Sequence, residues 1–326
     1  MIHISILVLE NSVMQAVADP HYLFSAANQF LTAAGKEPIF KVALVGVHKN
    51  TKINNGCYTI TATQQLKDVE STNLVIIPAL FGDLKLAIDS NKKMLPWIIE
   101  KYNNGADIAS LCLGAFLLAS TGLLNGKKCS THWGFRNEFN SMFPEVELID
   151  GKIVTEEGRL YSSGGALSYW NLLLYLLEKY TDRDTAILAS KYFAVDIDRE
   201  SQSAFAMFQG QRNHKDEAVK KSQDFIEKNI DEKITIDELA DYVAIGRRSF
   251  ERRFKTATQN SVLEYINRVK IESAKRSFEN SRKNINEVMF DVGYTDTKAF
   301  RTIFKKITGL NPIEYRNKYN KMGMWQ

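Results

Sequence analysis

The last third of the chain repeats itself. Phe250, Phe254, Lys255, Thr258, Glu264 and Tyr265 recur fifty residues later as Phe300, Phe304, Lys305, Thr308, Glu314 and Tyr315. Upstream, Ile236, Leu239 and Val243 recur forty-nine residues later as Ile285, Val288 and Val292. One inserted residue in the turn accounts for the difference. Aromatics at i and i+4 share one face of a helix, so each copy reads as a short helix, a turn and a second helix. The turns are Ala244-Ile-Gly246 and Val292-Gly-Tyr294. A Gly in a short turn between two helices is the helix-turn-helix signature. Gly246 and Gly293 would allow a positive φ there.

Charge follows the repeat. Residues 1–213 hold 19 Lys+Arg and 21 Asp+Glu, and residues 214–326 hold 23 and 17, so −2 stands against +6. The first repeat's second helix carries Arg247, Arg248, Arg252, Arg253 and Lys255 against Glu251. The second carries Lys298, Arg301, Lys305 and Lys306, with Thr295, Asp296 and Thr297 at its start. Arginine binds guanine edges or phosphates in fork geometry. A solvated basic face accounts for either helix alone, whereas two copies in one register point to DNA.

Upstream the texture differs. His3–Leu9, Phe40–Val47, Leu74–Pro78 and Asp107–Leu111 read as buried strands, separated by helical stretches such as Tyr22–Ala34 and Lys93–Asn103. That alternation predicts an α/β domain with a largely parallel sheet. Ile187, Leu188, Tyr192 and Phe193 fit a last helix, and the polar string 196–203 fits a joint. The expected division is an α/β domain over 1–190, a linker over 191–214 and an all-α domain over 215–326.

Composition narrows the class. At 326 residues, 44% hydrophobic and 25% charged, the chain has ample core for two domains and is not a disordered tail protein. The longest nearly apolar run, Leu111 to Leu124, is broken by Gly114, Ser120, Thr121 and Gly122 and is shorter than a membrane span. The N-terminus lacks a basic region and a small-residue cleavage site, so no secretory signal is expected. Three cysteines suit a reducing cytoplasm better than a disulfide framework.

Cys112 sits where the strand ending at Leu111 runs into a helix, with Gly114 following and Ser130-Thr-His132-Trp twenty residues on. A thiol at such a turn faces helix N–H groups that can lower its pKa. Three readings stay open: an active Cys112–His132 dyad, a small-molecule pocket, or a small residue fitting a tight turn. His132 beside Trp133 also suits a packed core histidine. Cys112, Cys129 and His132 lack the second pair a zinc site needs, so neither metal nor cofactor is expected. Trp133, Tyr169 and Trp170 could offer aromatic faces to a cation.

These stretches resemble two known families. Tyr265–Arg276, Ile285–Tyr294 and Phe304–Pro312 are similar to the DNA-binding domain of AraC/XylS transcription regulators, which implies two helix-turn-helix units reading successive major grooves. Thr302 stands where that family usually has Arg, and Gln259 and Val262 where it usually has Gly and Pro. Cys112–Gly126, Thr131-His-Trp133, Ser163-Gly-Gly-Ala166 and Ala18–Phe24 resemble the DJ-1/PfpI branch of the class I glutamine-amidotransferase-like superfamily. The likeness is to the subgroup fused to AraC-type domains, which includes regulators of arginine, carnitine and glycine-betaine catabolism. It implies a flavodoxin-like parallel-sheet sandwich and a pocket involving Cys112, Leu113, His132, Gly82 and His21. The superfamily's acidic residue would fall near Gln15–Ala16, where none stands; Asp19 is close by.

Together these readings imply a cytoplasmic, homodimeric transcription regulator that binds operator DNA under control of an amine, amino acid or betaine. The DNA-binding residues are expected to be Arg247, Arg248, Arg252, Arg253, Lys255, Thr295, Asp296, Thr297, Lys298, Arg301 and Lys305. The alternative is a cysteine amidase, hydrolase or redox sensor using Cys112 and His132.

Overall fold

A computed structural model describes residues 1–320. The chain divides into two units, residues 1–202 and 203–326, the last six residues lying outside the described part.

The first unit is built on a seven-stranded sheet: β1 (Ile2–Val8), β2 (Phe40–Gly46), β3 (Gln64–Gln65), β4 (Leu74–Ile77), β5 (Asp107–Ser110), β6 (Val154–Glu157) and β7 (Leu160–Ser163), in the order β6-β7-β5-β4-β1-β2-β3. The four strands expected from continuous apolar runs form its centre. Leu74–Ile77 is wholly buried, as a parallel strand covered on both faces must be. All pairings are parallel except β6 with β7, a hairpin turning on Gly158 at φ +65°. Glycine at the first of two loop residues suits such a turn.

Helices α1 (Met14–Ala33), α6 (Tyr169–Tyr180) and α7 (Arg183–Phe193) pack on one another, and α2 (Leu84–Ser90), α3 (Leu95–Asn103) and α4 (Gly114–Ser120) form a second group. Helix α5 (Arg136–Met142) buries Phe139 against Phe116 of α4. The first helix begins eight residues earlier than the expected Tyr22. It contains Pro20, buried in its second turn, where the missing N–H costs one helical bond.

The stretch 191–214, expected as a linker, is divided between the units. Helix α7 ends at Phe193, Ala194 caps it at φ +53°, and Ser201 bridges to Lys152 in the first unit. The second unit holds α8 (Glu217–Lys228), α9 (Ile236–Tyr242), α10 (Arg247–Thr258), α11 (Val262–Asn280), α12 (Ile285–Asp291), α13 (Thr297–Thr308) and α14 (Pro312–Tyr319). The repeat is carried by α9–α10 and α12–α13, with α11 joining them. Each copy has its own core: Phe250 and Phe254 pack with Tyr265, and Phe300 and Phe304 with Tyr315.

Candidate effector pocket and nucleic-acid interface

The turn after β5 is held by its neighbours. Leu111 N–H donates to the Ile77 carbonyl (2.9 Å) and Gly114 N–H to the Leu111 carbonyl (2.8 Å). Cys112 sits between them at φ +51°, a left-handed conformation that costs a non-glycine residue energy. Gly114 is required, because a Cβ there would stand 2.6 Å from both the Ile77 and Pro78 carbonyl oxygens. Gly114→Ala is therefore expected to cost ~1–3 kcal/mol in thermal or denaturant unfolding; an unchanged midpoint would contradict the tight turn.

Two side chains grip the Cys112 backbone. Ser163 Oγ accepts its N–H (3.1 Å), and Thr131 Oγ1 donates to its carbonyl (3.1 Å). Its thiol is 4% exposed, and desolvation pushes it up to about 12 against the opposing Leu113 N–H. Among the described residues no hydrogen bond joins it to His132. The half-buried imidazole instead accepts the Gly134 N–H on Nδ1 (3.1 Å) and stacks beside Trp133. Desolvation lowers its pKa, so the ring is neutral at pH 7. The thiol is thus protonated and lacks a hydrogen-bonded base, the reverse of an activated nucleophile.

The other pocket candidates are placed unevenly. Leu113 adjoins Cys112, nearly buried. Gly82, at φ +87°, lies in the loop after β4, at the same edge of the sheet. Asp19 on α1 accepts from the Tyr169 hydroxyl (2.7 Å) and Trp170 Nε1 (2.9 Å). Tyr169 lies within electrostatic reach of Cys112, and burial raises its pKa. His21, two residues on from Asp19, is turned roughly 200° round the helix and exposed. No hydrogen bond or ring contact joins it to the Cys112 turn among the described residues. Of the three aromatics, Tyr169 and Trp170 serve the Asp19 anchor, and Trp170 packs on Phe193.

A cavity of about 370 Å³ lies elsewhere in this unit, between β6, α6 and residues 197–200. Three of its four acids are engaged: Glu156 with Lys179, and Glu178 and Asp198 with Arg183. Neither Cys112 nor His132 lines it.

In the second unit the repeat extends to polar detail that the aromatic spacing did not reveal. Thr235 with Glu238, and Asn284 with Glu287, close capping boxes before α9 and α12. Ser261 with Glu264, and Asn311 with Glu314, do so before α11 and α14. Such boxes satisfy the free N–H groups of a helix start.

One turn departs from expectation. Gly293 has φ +70°, but Gly246 has φ −57° and is the residue before α10. The positive φ of the first turn falls on Ala244 at +53°. The forty-nine-residue offset explains this: Gly293 matches Ala244, whereas Gly246 matches the capping Asp296 at an offset of fifty. Beyond α10, Gln259 takes φ +58° where Gly309 has +76°, and Val262 opens α11 as Pro312 opens α14. The turn geometry survives without the usual Gly and Pro.

The basic side chains sort by engagement. Arg253 makes a bidentate pair with Asp216 (2.8 Å twice), and Arg247 pairs with Asp237 (2.9 Å). Lys255 reaches forward to the carbonyl of Gln259, the residue that caps α10. Arg248 and Arg252, one turn apart on α10, are exposed and make no ion pair among the described residues. The same holds for Lys298, Arg301 and Lys305 on α13. Asp296 is spent as the cap of α13, accepting Lys298 and Ala299 N–H groups; Thr295 is exposed and Thr297 half-buried.

Residues 18–179 match the model of the DJ-1/PfpI family, and residues 239–318 match that of a helix-turn-helix domain. The HTH-type transcriptional regulator ArgR of Pseudomonas aeruginosa is 26% identical over 66% of this chain and 65% of its own length. The regulator GbdR of the same species is 26% identical over 72% of this chain and 64% of its own. The chain thus spans just under two thirds of these curated relatives. A crystal structure of an AraC family transcriptional regulator from Pseudomonas putida shares the fold, with a TM-score of 0.51 and 14% identity over 59% of this chain and all of that one. The chain therefore joins a DJ-1/PfpI-family domain to an AraC-type helix-turn-helix domain.

Proposed function

We propose that the protein is a transcription regulator that binds operator DNA through α10 and α13 and is controlled by a small metabolite at the Cys112 edge of the first unit. The observation that carries this is the doubled unit, each copy presenting unpaired basic side chains on its second helix. Second helices of this motif enter the major groove. Arg248, Arg252, Lys298, Arg301 and Lys305 are the groove-facing set, with Thr295 beside them. Arg247, Arg253 and Lys255 border phosphates, and Asp296 and Thr297 shape the start of α13. An amine, amino acid or betaine suits the edge formed by Cys112, Leu113, His132 and Gly82, with His21 outside it. The exposed Tyr22, Leu188 and Tyr192 of α1 and α7 favour a homodimer.

A mobility-shift titration with DNA upstream of the chain's own gene tests the reading. Arg252→Ala and Arg301→Ala are each expected to raise Kd by ~5–150-fold, the worth of a bidentate base contact. Each also lowers the slope of log affinity against log salt by about 1 if the group meets phosphate instead. Arg253→Ala, whose guanidinium is held by Asp216, should change Kd several-fold less. Equal losses at Arg252 and Arg253, or no sequence-selective shift at all, would go against this face.

A further inference from the structure

We infer that Gln202 is the latch through which the Cys112 turn reports to the second unit; this rests on the regulatory reading above. Gln202 is the last residue of the first unit, in a string polar enough to pass for a solvated joint. Yet it is 2% exposed. Its Nε2 donates to the carbonyls of Thr131 (2.9 Å) and Lys152 (3.2 Å), and its Oε1 accepts the Trp133 N–H (3.2 Å). Its backbone N–H donates to the Gly151 carbonyl (2.8 Å). Both amide donors and the acceptor are used, so a buried polar group is satisfied by one arrangement only.

Two routes run from Cys112 to this carboxamide. Thr131 bonds the Cys112 carbonyl through Oγ1 and the Gln202 amide through its own carbonyl. Ser163 accepts the Cys112 N–H, and next to it Gly164 makes room for Gln202: a Cβ on Gly164 would stand 2.0 Å from Nε2. Gln202 also brackets His132, since its partners Thr131 and Trp133 are that residue's neighbours. A ligand that moves residues 131–133 must therefore stretch or break these bonds.

From the next residues on, the chain belongs to the second unit. The Ala204 carbonyl accepts from the Tyr319 hydroxyl (3.1 Å) and the Ala206 carbonyl from Lys275 Nζ (2.6 Å). Phe208 N–H donates to Glu272 (3.1 Å), which is paired with Lys275 in the core of that unit. In sequence, Ser203 alone separates the residue held by the first unit from the segment held by the second. Release of Gln202 lengthens the joint, and ligand binding shifts the population of latched chains in proportion to its preference for one state.

The test uses the full chain and three variants. Gln202→Ala removes the latch, Gln202→Glu keeps its size but loses the amide donor, and Gly164→Ala displaces it. Amide exchange at Trp133 and Gln202 should rise roughly tenfold or more in all three, as local opening becomes easier. Operator affinity should shift at least about threefold from wild type. With glycine betaine and L-arginine as probes, a thermal shift seen in wild type should persist in Gln202→Ala, while the probe's effect on DNA affinity falls below about twofold. Unchanged Trp133 protection, Gln202→Glu behaving as wild type, or a retained probe response would each overturn the latch. If no DNA is bound selectively, the regulatory reading fails, and the latch is still judged on exchange. Gln202→Ala removes only a side chain, so the test survives even if Gly164→Ala does not fold.

Discussion

Iodoacetamide at pH 8 is expected to label Cys57 at least ~10³-fold faster than Cys112. Cys57 is exposed and Cys112 buried, and only the thiolate attacks. An ordinary thiol near ~8.5 is about a quarter ionised at that pH. One pushed up to about 12 is ionised to about one part in ten thousand. Restricted access slows it further. A time course of peptide masses measures both sites in one sample, and Cys129, buried and likewise pushed up to about 12, is a third internal standard. Cys112 reacting within about tenfold of Cys57 would favour the hydrolase and redox-sensor readings. Slow labelling leaves the turn as a shaped surface, held by Ser163 and Thr131, on which a metabolite can rest. The left-handed Cys112 backbone is what a nucleophile elbow needs, but the chemistry around the sulfur is not. A fold by itself decides neither outcome, because function resides in the site and not the fold.

What could be read ahead of the structure depended on how local its cause was. The central strands were legible because a strand buried on both faces is apolar throughout, as in Leu74–Ile77. The hairpin of β6 and β7 was not, because Val154–Glu157 ends in two glutamates at the sheet's edge. The doubled unit was legible from Phe250, Phe254, Phe300 and Phe304 because all four are fully buried. Its first turn is less legible: Gly246 is the visible glycine, but the positive φ falls on Ala244, which the forty-nine-residue offset aligns with Gly293. Which arginines are free was beyond reach, since Asp216 lies thirty-seven residues from the Arg253 it holds. The same limit hid Gln202: its burial depends on Thr131, Lys152 and the missing Cβ of Gly164, none of them near in sequence. The Cys112–His132 spacing suggested a dyad, but whether two groups meet is decided by rotamers and by competing donors such as the Gly134 N–H.

Phe304→Ala is expected to cost ~3–5 kcal/mol of stability in the second helix-turn-helix copy, the usual loss for a buried phenylalanine. Phe304 is fully buried and its ring meets Phe278, Phe300 and Tyr315 at 5.5–5.7 Å between centroids. These rings are most of the aromatic content of a small core whose remaining members are Ile271, Ala274, Val288, Met289 and Val292. A cavity there has few neighbours able to collapse into it. The first copy keeps a separate core around Phe250, Phe254 and Tyr265, so its packing is not removed with the second. Denaturant unfolding followed by circular dichroism should show an early transition in Phe304→Ala that wild type lacks. DNA affinity should fall by ~10²–10⁴, because two linked reading heads gain that much from effective concentration. Phe254→Ala should mirror it from the other copy. If either variant bound DNA within about threefold of wild type while its copy was unfolded, the two copies would not be reading the duplex together, and the repeat would owe its register to packing alone.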